Sequence, residues 1–200
     1  EMREGLEFLS GHREMQMLGL SWALFLSAMM TGVIVTAPLS ERIYHRGAVG
    51  YGWLNGGWGV GAFVSAFYAP LVIRTLGARR SMAIALGLLA VLMIAAPAMP
   101  VLALAVVVYA LMGSGRGITG VAMNTRLMEQ IPRHFMGRVQ NTFYTLGTTL
   151  VIGESYVVGA VAQRSLPAGF SVIGFVYALG FLSATWPIPV SAPAALTKAE

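Results

Sequence analysis

Two hundred residues, 56% apolar and only 10% charged at a mean hydropathy of +0.71, exclude a soluble domain, in which about a quarter of residues carry charge. Eight Glu, no Asp, one Lys and twelve Arg cannot coat the exterior of a water-soluble enzyme, which leaves a membrane protein. The net charge of +5 is dispersed in short clusters between long apolar runs, the pattern of cytoplasmic loops and not of a nucleic-acid surface, and the absence of cysteine removes disulfides, thiolate ligands and thiol redox chemistry.

Residues 1–14 form a charged, helix-patterned stretch that lacks the layout of a signal peptide and reads as a cytoplasmic amphipathic lead-in. A start without Met inside Glu1-Met2-Arg3-Glu4-Gly5 predicts a fragment cut upstream of a helix. Because a crossing helix needs roughly 20 apolar residues, the charges serve as punctuation. They predict spans at Met15–Leu39 and Tyr51–Ile73, with Ser40–Gly50 as the loop between them and Arg74, Arg79 and Arg80 closing the second. Ser81 to Gly115 holds no charge and is too long for one span, so Pro97 and Pro100 divide it into Ser81–Ala96 and Val101–Met123. A polar loop, Asn124–Arg138, precedes a fifth span at Val139–Ala162; Gln163–Ala168 is a tight loop, and Gly169–Val190 is the sixth span. The bundle therefore covers 15–190, and 191–200 is a short cytoplasmic tail. Nine Lys and Arg on one side against Arg42, Arg46 and Arg164 on the other put both termini in the cytoplasm.

Within these spans, glycine is dense in the second and fourth. Gly52/Gly56 and Gly57/Gly61 each make a step of four that lets another helix backbone approach, and Gly113 and Gly117 repeat the theme. Tight packing inside the bundle and a sliding contact during transport both fit. Gly113-Ser114-Gly115 does not support a serine protease, because His12, His45 and His134 all fall in predicted loops, away from a serine in a span. No metal site is expected from three scattered histidines without Cys or Asp, and no cofactor is expected either.

Two charges remain inside predicted spans, Arg116 and Glu154. Each costs at least about 2.5–3.5 kcal/mol at the bilayer centre and normally faces the bundle interior or a water-filled cavity. The predicted boundaries put Arg116 roughly 10 Å and Glu154 roughly 20 Å above the cytoplasmic edge, so a structural ion pair and a separated, functional pair are both open. Removing a carboxylate from water disfavours its ionised form, which makes Glu154, with Arg116 opposing it, the proton-coupling candidate. Asn55 reads equally as an interhelical hydrogen bond and as a substrate contact. Trp53 and Trp186 read as interfacial anchors, whereas Trp22 and Trp58 lie deeper and either pack or stack on an aromatic substrate.

Three stretches resemble the major facilitator superfamily, specifically the carboxy-terminal half of its twelve-helix chains in the enterobactin-exporter-like branch. Arg3-Glu4-Gly5-Leu6-Glu7-Phe8-Leu9 with His12 is similar to the cytoplasmic helix that leads into the family's seventh helix. Arg74-Thr75-Leu76-Gly77-Ala78-Arg79-Arg80 resembles the family's cytoplasmic signature Asp-Arg-x-Gly-Arg-Arg, with Arg74 where the Asp would stand. Asn124 through Pro132, continued by Gly137-Arg138-Val139, resembles the loop between the family's tenth and eleventh helices. The resemblance implies an all-α membrane protein of six transmembrane helices forming one half of a twelve-helix fold. Its further implications are a secondary exporter of a drug, siderophore or metabolite in the bacterial inner membrane, proton-coupled, with no enzymatic step. The expected partners are membrane lipid, the small-molecule substrate and the amino-terminal half. It also implies gating roles for the loop residues Arg74, Gly77, Arg79, Arg80, Pro132, Gly137 and Arg138, and supporting roles for spans three and six. The alternative is a six-helix membrane protein that assembles with partners and transports nothing.

Overall fold

A computed structural model describes residues 13–131 and 133–186; the lead-in of 1–12, Pro132 and everything from residue 187, including the end of the predicted sixth span and the tail, lie outside the described residues. The protein is an all-α membrane protein, with six helices long and apolar enough to span a membrane among the described residues. They are α1 (Arg13–Pro38), α2 (Gly47–Leu76), α3 (Ala78–Ala95), α4 (Leu102–Gln130), α5 (Arg133–Arg164) and α6 (Leu166–Thr185).

Proline and glycine set several of the breaks. Pro38 ends α1, and the chain continues through one wide π turn, Leu39–Ile43, since proline offers no N–H to a normal α turn. Gly77 divides α2 from α3 in a single residue at φ +81°, a conformation that a side chain would oppose. Pro97 sits in a 3-10 turn, Ala96–Ala98, between α3 and α4. Pro70 lies inside α2 and leaves the Ala66 carbonyl without its helical donor.

The predicted polar loop Asn124–Arg138 is not a loop. Helix α4 runs on to Gln130 and α5 begins at Arg133; hydropathy marks where a helix leaves hydrocarbon, and these two continue past that level as ordinary water-exposed helix. Gly137, Arg138 and the backbone at His134 are therefore helical. Arg116 lies fourteen residues from either end of α4, about 21 Å along the axis, and so at mid-helix; the extension adds helix beyond the apolar run and leaves its expected height above the apolar edge unchanged.

Helix α2 packs on α4, α4 on α3, α3 on α6, α6 on α1 and α1 on α5, while α1 meets α2, and α4 meets α5, only slightly. The helices thus form an arc in the order α2, α4, α3, α6, α1, α5. Exchanging α1 with α4, α2 with α5 and α3 with α6 maps this arc onto itself reversed. Since three crossings invert the chain's direction, the halves α1–α3 and α4–α6 are related as repeats of opposite topology. The end helices of the arc are the least covered: 22% of the α2 span and 17% of the α5 span is buried, against 50% for α3 and 44% for α6. The apolar core runs along the back of the arc, through Leu86, Leu89 and Met93 of α3, Phe170 and Ile173 of α6, Ala28 and Val35 of α1 and Phe143 of α5.

The seam between α2 and α4 depends on four of the predicted packing glycines. A Cβ on Gly57 would come 2.7 Å from the Val106 carbonyl oxygen; on Gly61 it would overlap the Ala110 carbonyl, on Gly113 the Trp58 carbonyl and on Gly117 the Ser65 hydroxyl. Gly52 and Gly56 are different. They are exposed, a Cβ on either meets nothing within 4 Å, and so they are not packing positions in this bundle. The sequence step is the same in both pairs, and only the side on which α4 lies separates them.

Candidate functional site: a groove around Arg116

The concave side of the arc holds two adjoining compartments of about 240 Å³ and 460 Å³, with Met29 and Arg116 lining both. The smaller is walled by Met30 and Thr36 of α1, Asn55 and Trp58 of α2, Met93 of α3, Tyr109 and Met112 of α4 and Tyr177 of α6. The larger is walled by Trp22 and Phe25 of α1, Ser65 and Ala66 of α2, Gly120 and Asn124 of α4 and Tyr144 of α5. Helices that barely touch one another, α1 and α2, α4 and α5, face each other across this space.

Arg116 is exposed within it. Its guanidinium carbon lies 5.0 Å from the centre of the Trp58 ring, and Nε points to the Met29 sulfur at 3.4 Å. Trp58 is partly buried against the hydrophobic core, as its packing reading expects, and also offers Arg116 a cation–π platform. Trp22 stands in the second compartment with its ring 5.2 Å from that of Phe25, tilted by 36°. Asn55 donates to the Tyr51 carbonyl of its own helix at 2.9 Å; of its two sequence readings, the interhelical bond is not made, and the amide lines the groove. Tyr109 and Thr36 share a buried 2.9 Å hydrogen bond that joins α4 to α1 at the groove floor.

Glu154 is not paired with Arg116. The two differ by about 10 Å in depth along their helices, and the carboxylate turns the other way, into the wedge between α5 and α1 beside Ser27 and Thr31, with Tyr177 near it. Both carboxylate oxygens are buried and lack a hydrogen-bond donor. The two hydroxyls beside them are engaged elsewhere: Ser27 donates to the Leu24 carbonyl at 3.1 Å and Thr31 to the Ser27 carbonyl at 2.8 Å. Ser27, Thr31 and Tyr177 are thus the polar neighbours of Glu154 in this wedge.

The gating residues implied by the resemblance gather at one end of the bundle to different degrees. Arg79 donates Nε to the Ala184 carbonyl at 2.9 Å and an Nη to the Trp186 carbonyl, so it closes the C-terminus of α6, where a cation also meets the negative end of the helix dipole. Close by, Arg126 of α4 pairs with Glu14 of α1. Arg74 and Arg80 are exposed, as is Gly137, where nothing lies within 4 Å of an added Cβ. Arg138 lies over the Phe135 ring at 5.8 Å. At the other end, the Tyr44 hydroxyl donates to the Met99 carbonyl at 3.0 Å. Trp53 and Trp186 are exposed near helix ends. No group of His, Asp or Glu among the described residues is arranged to hold a metal ion.

Sequence reasoning missed Tyr109, Tyr177, Thr36 and the methionines Met29, Met30, Met93 and Met112 as groove residues. A Tyr or Met in an apolar run reads as core, and the available signal was compositional, twelve Met in 200 residues. Spans three and six support the bundle through most of their length but still contribute Met93 and Tyr177 to the cavity.

The architecture and the groove define a class: a multi-pass all-α membrane protein with a largely apolar cavity that holds one exposed guanidinium between its spanning helices. No protein-family model matches the chain, and none of the curated proteins is similar to it.

Proposed function

We propose that this chain is one six-helix half of a secondary transporter that exports a small molecule across the bacterial inner membrane by alternating access, coupled to protons through Glu154. The observation that carries the reading is the exposed guanidinium of Arg116 at the middle of a spanning helix, in a groove open along one side of the bundle. A charge at that depth does not face hydrocarbon stably, so the open side calls for water and a second protein wall. In transporters built of inverted repeats the site lies at the midplane, where two bodies meet, and the reversed arc of this bundle has the matching internal relation. The resemblance to the carboxy-terminal half of major facilitator chains supplies the same partner, the amino-terminal half. The cluster of Arg74, Arg79, Arg80 and Arg126 at one end favours that end as cytoplasmic, with the Arg79 and Arg126 contacts as closures that open and re-form.

Glu154 serves the coupling because its carboxylate is buried between α5 and α1, beside Ser27 and Thr31, so that a shift of α1 against α5 changes what surrounds it. The test uses everted membrane vesicles with the full-length protein and a respiratory pH gradient. Three probes of one shape are offered: naphthalene-2-carboxylate, 2-naphthylmethanol and 2-naphthylmethylamine. Uptake of at least one that consumes the gradient, and that falls at least tenfold in Glu154→Gln, is the expected result. Uptake of none, or uptake at wild-type rate in Glu154→Gln, contradicts export or coupling respectively.

A further inference from the structure

We propose that Arg116 is the anchor for an anionic ligand, and that the groove takes an organic anion with an aromatic body whose carboxylate, sulfonate or phosphate docks on the guanidinium while its ring lies along Trp58. Arginine presents five N–H donors in a fork suited to such groups. Here the described partners of that fork are a thioether sulfur and an indole face, neither of which neutralises it. Other arginines of the same bundle are treated differently: Arg79 is spent on two carbonyl oxygens and Arg126 on the carboxylate of Glu14. The nearest intramembrane carboxylate, Glu154, points into the wedge beside Ser27 and Thr31.

The rest of the lining sorts ligands in the same sense. Among the described residues no acidic side chain lines either compartment, so an organic cation would meet Arg116 with no carboxylate of the lining to offset the repulsion. Asn55 adds a neutral amide, and Tyr109 and Tyr177 add aromatic walls with polar tips. Unbranched, polarisable methionines from α1, α3 and α4 adapt to ligands of differing outline and make favourable contacts with ring edges. Charge selectivity at Arg116 with loose shape selectivity elsewhere is the consequence.

The proposal rests on the transport reading only for what becomes of the ligand, and its test is a binding measurement. Titration calorimetry on the full-length protein in a neutral detergent, with the same three naphthalenes, is expected to show the carboxylate binding at least tenfold more tightly than the alcohol and the amine. Arg116→Gln removes that preference and Arg116→Lys keeps part of it; Trp58→Leu weakens carboxylate and alcohol alike. Equal binding of the three by the unaltered protein, tighter binding of the amine, or a carboxylate preference that persists in Arg116→Gln overturns the proposal, and the first two need no variant to fold. If dihexanoyl-phosphatidylglycerol displaces the carboxylate as effectively as unlabelled naphthoate does, the site belongs to a lipid headgroup and the ligand assignment fails. Arg116-dependent binding without gradient-driven movement overturns the transport reading and leaves this site standing. Export of the amine but not the carboxylate does the reverse.

Discussion

Arg116 and Arg126 lie on one helix, less than three turns apart, and have opposite surroundings. Arg126 reaches the carboxylate of Glu14 across to α1, at the end of the bundle where water is near. Arg116, inside the apolar stretch of the helix where a charge costs more than at the rim, has sulfur and an aromatic face but no anion. A bundle selected for stability alone would place its ion pair where Arg116 is and tolerate an unneutralised guanidinium at the rim. The reversed arrangement marks the rim as structural and the centre as kept free for something that arrives and leaves.

Three comparisons sharpen this contrast, beginning with the seam that fixes α4 in position. A side chain at Gly61 would push into the Ala110 backbone, so Gly61→Val is expected to cost about 3 kcal/mol and to lower the melting temperature of the purified protein sharply. Gly56→Val, five residues earlier on an open face, should leave it unchanged. Equal loss in both would mean that the α2–α4 contact is not where α4 is held.

The second effect has the opposite sign. Removing an uncompensated mid-span charge in Arg116→Leu is expected to stabilise the bundle by about 2–3 kcal/mol while abolishing ligand binding, a trade of function for stability visible as a raised melting temperature in the inactive variant. A drop in stability would show that Arg116 is a structural residue after all. The smallest effect belongs to the rim: Arg79→Met, which frees the terminal carbonyls of α6, should cost about 1–2 kcal/mol, read by the same melting assay and without change in naphthoate affinity. An Arg79→Met variant that lost affinity but kept its melting temperature would dissolve the distinction between rim and centre.

Much of this fold was legible because charges are rare enough to delimit spans. The ends of α4 and α5 were not, since hydropathy registers the bilayer's edge whereas hydrogen bonding carries the helix beyond it through Arg126, Gln130 and Arg133. Arg116 and Glu154 stood out as charges in apolar runs, but their separation depends on which way each helix faces, information that no single span contains. The same limit applies to glycine: Gly52/Gly56 and Gly57/Gly61 share a spacing, and the position of α4 alone makes the second pair a seam. Trp58 could be placed at depth from its number, yet its service as the platform under Arg116 is a tertiary fact.

The claim on which the account turns is that the groove is wet at mid-membrane and opens in turn to each side. These 200 residues hold no cysteine, so Asn55→Cys in the full-length protein, with any cysteine outside them replaced by serine, gives one thiol at the groove wall, to be challenged with a membrane-impermeant maleimide in right-side-out and in everted vesicles. Labelling in both orientations, slowed by naphthalene-2-carboxylate and shifted between sides by reversing the pH gradient, is the predicted result. A thiol that never reacts, or that reacts from one side only under every condition, would contradict alternating access in this protein.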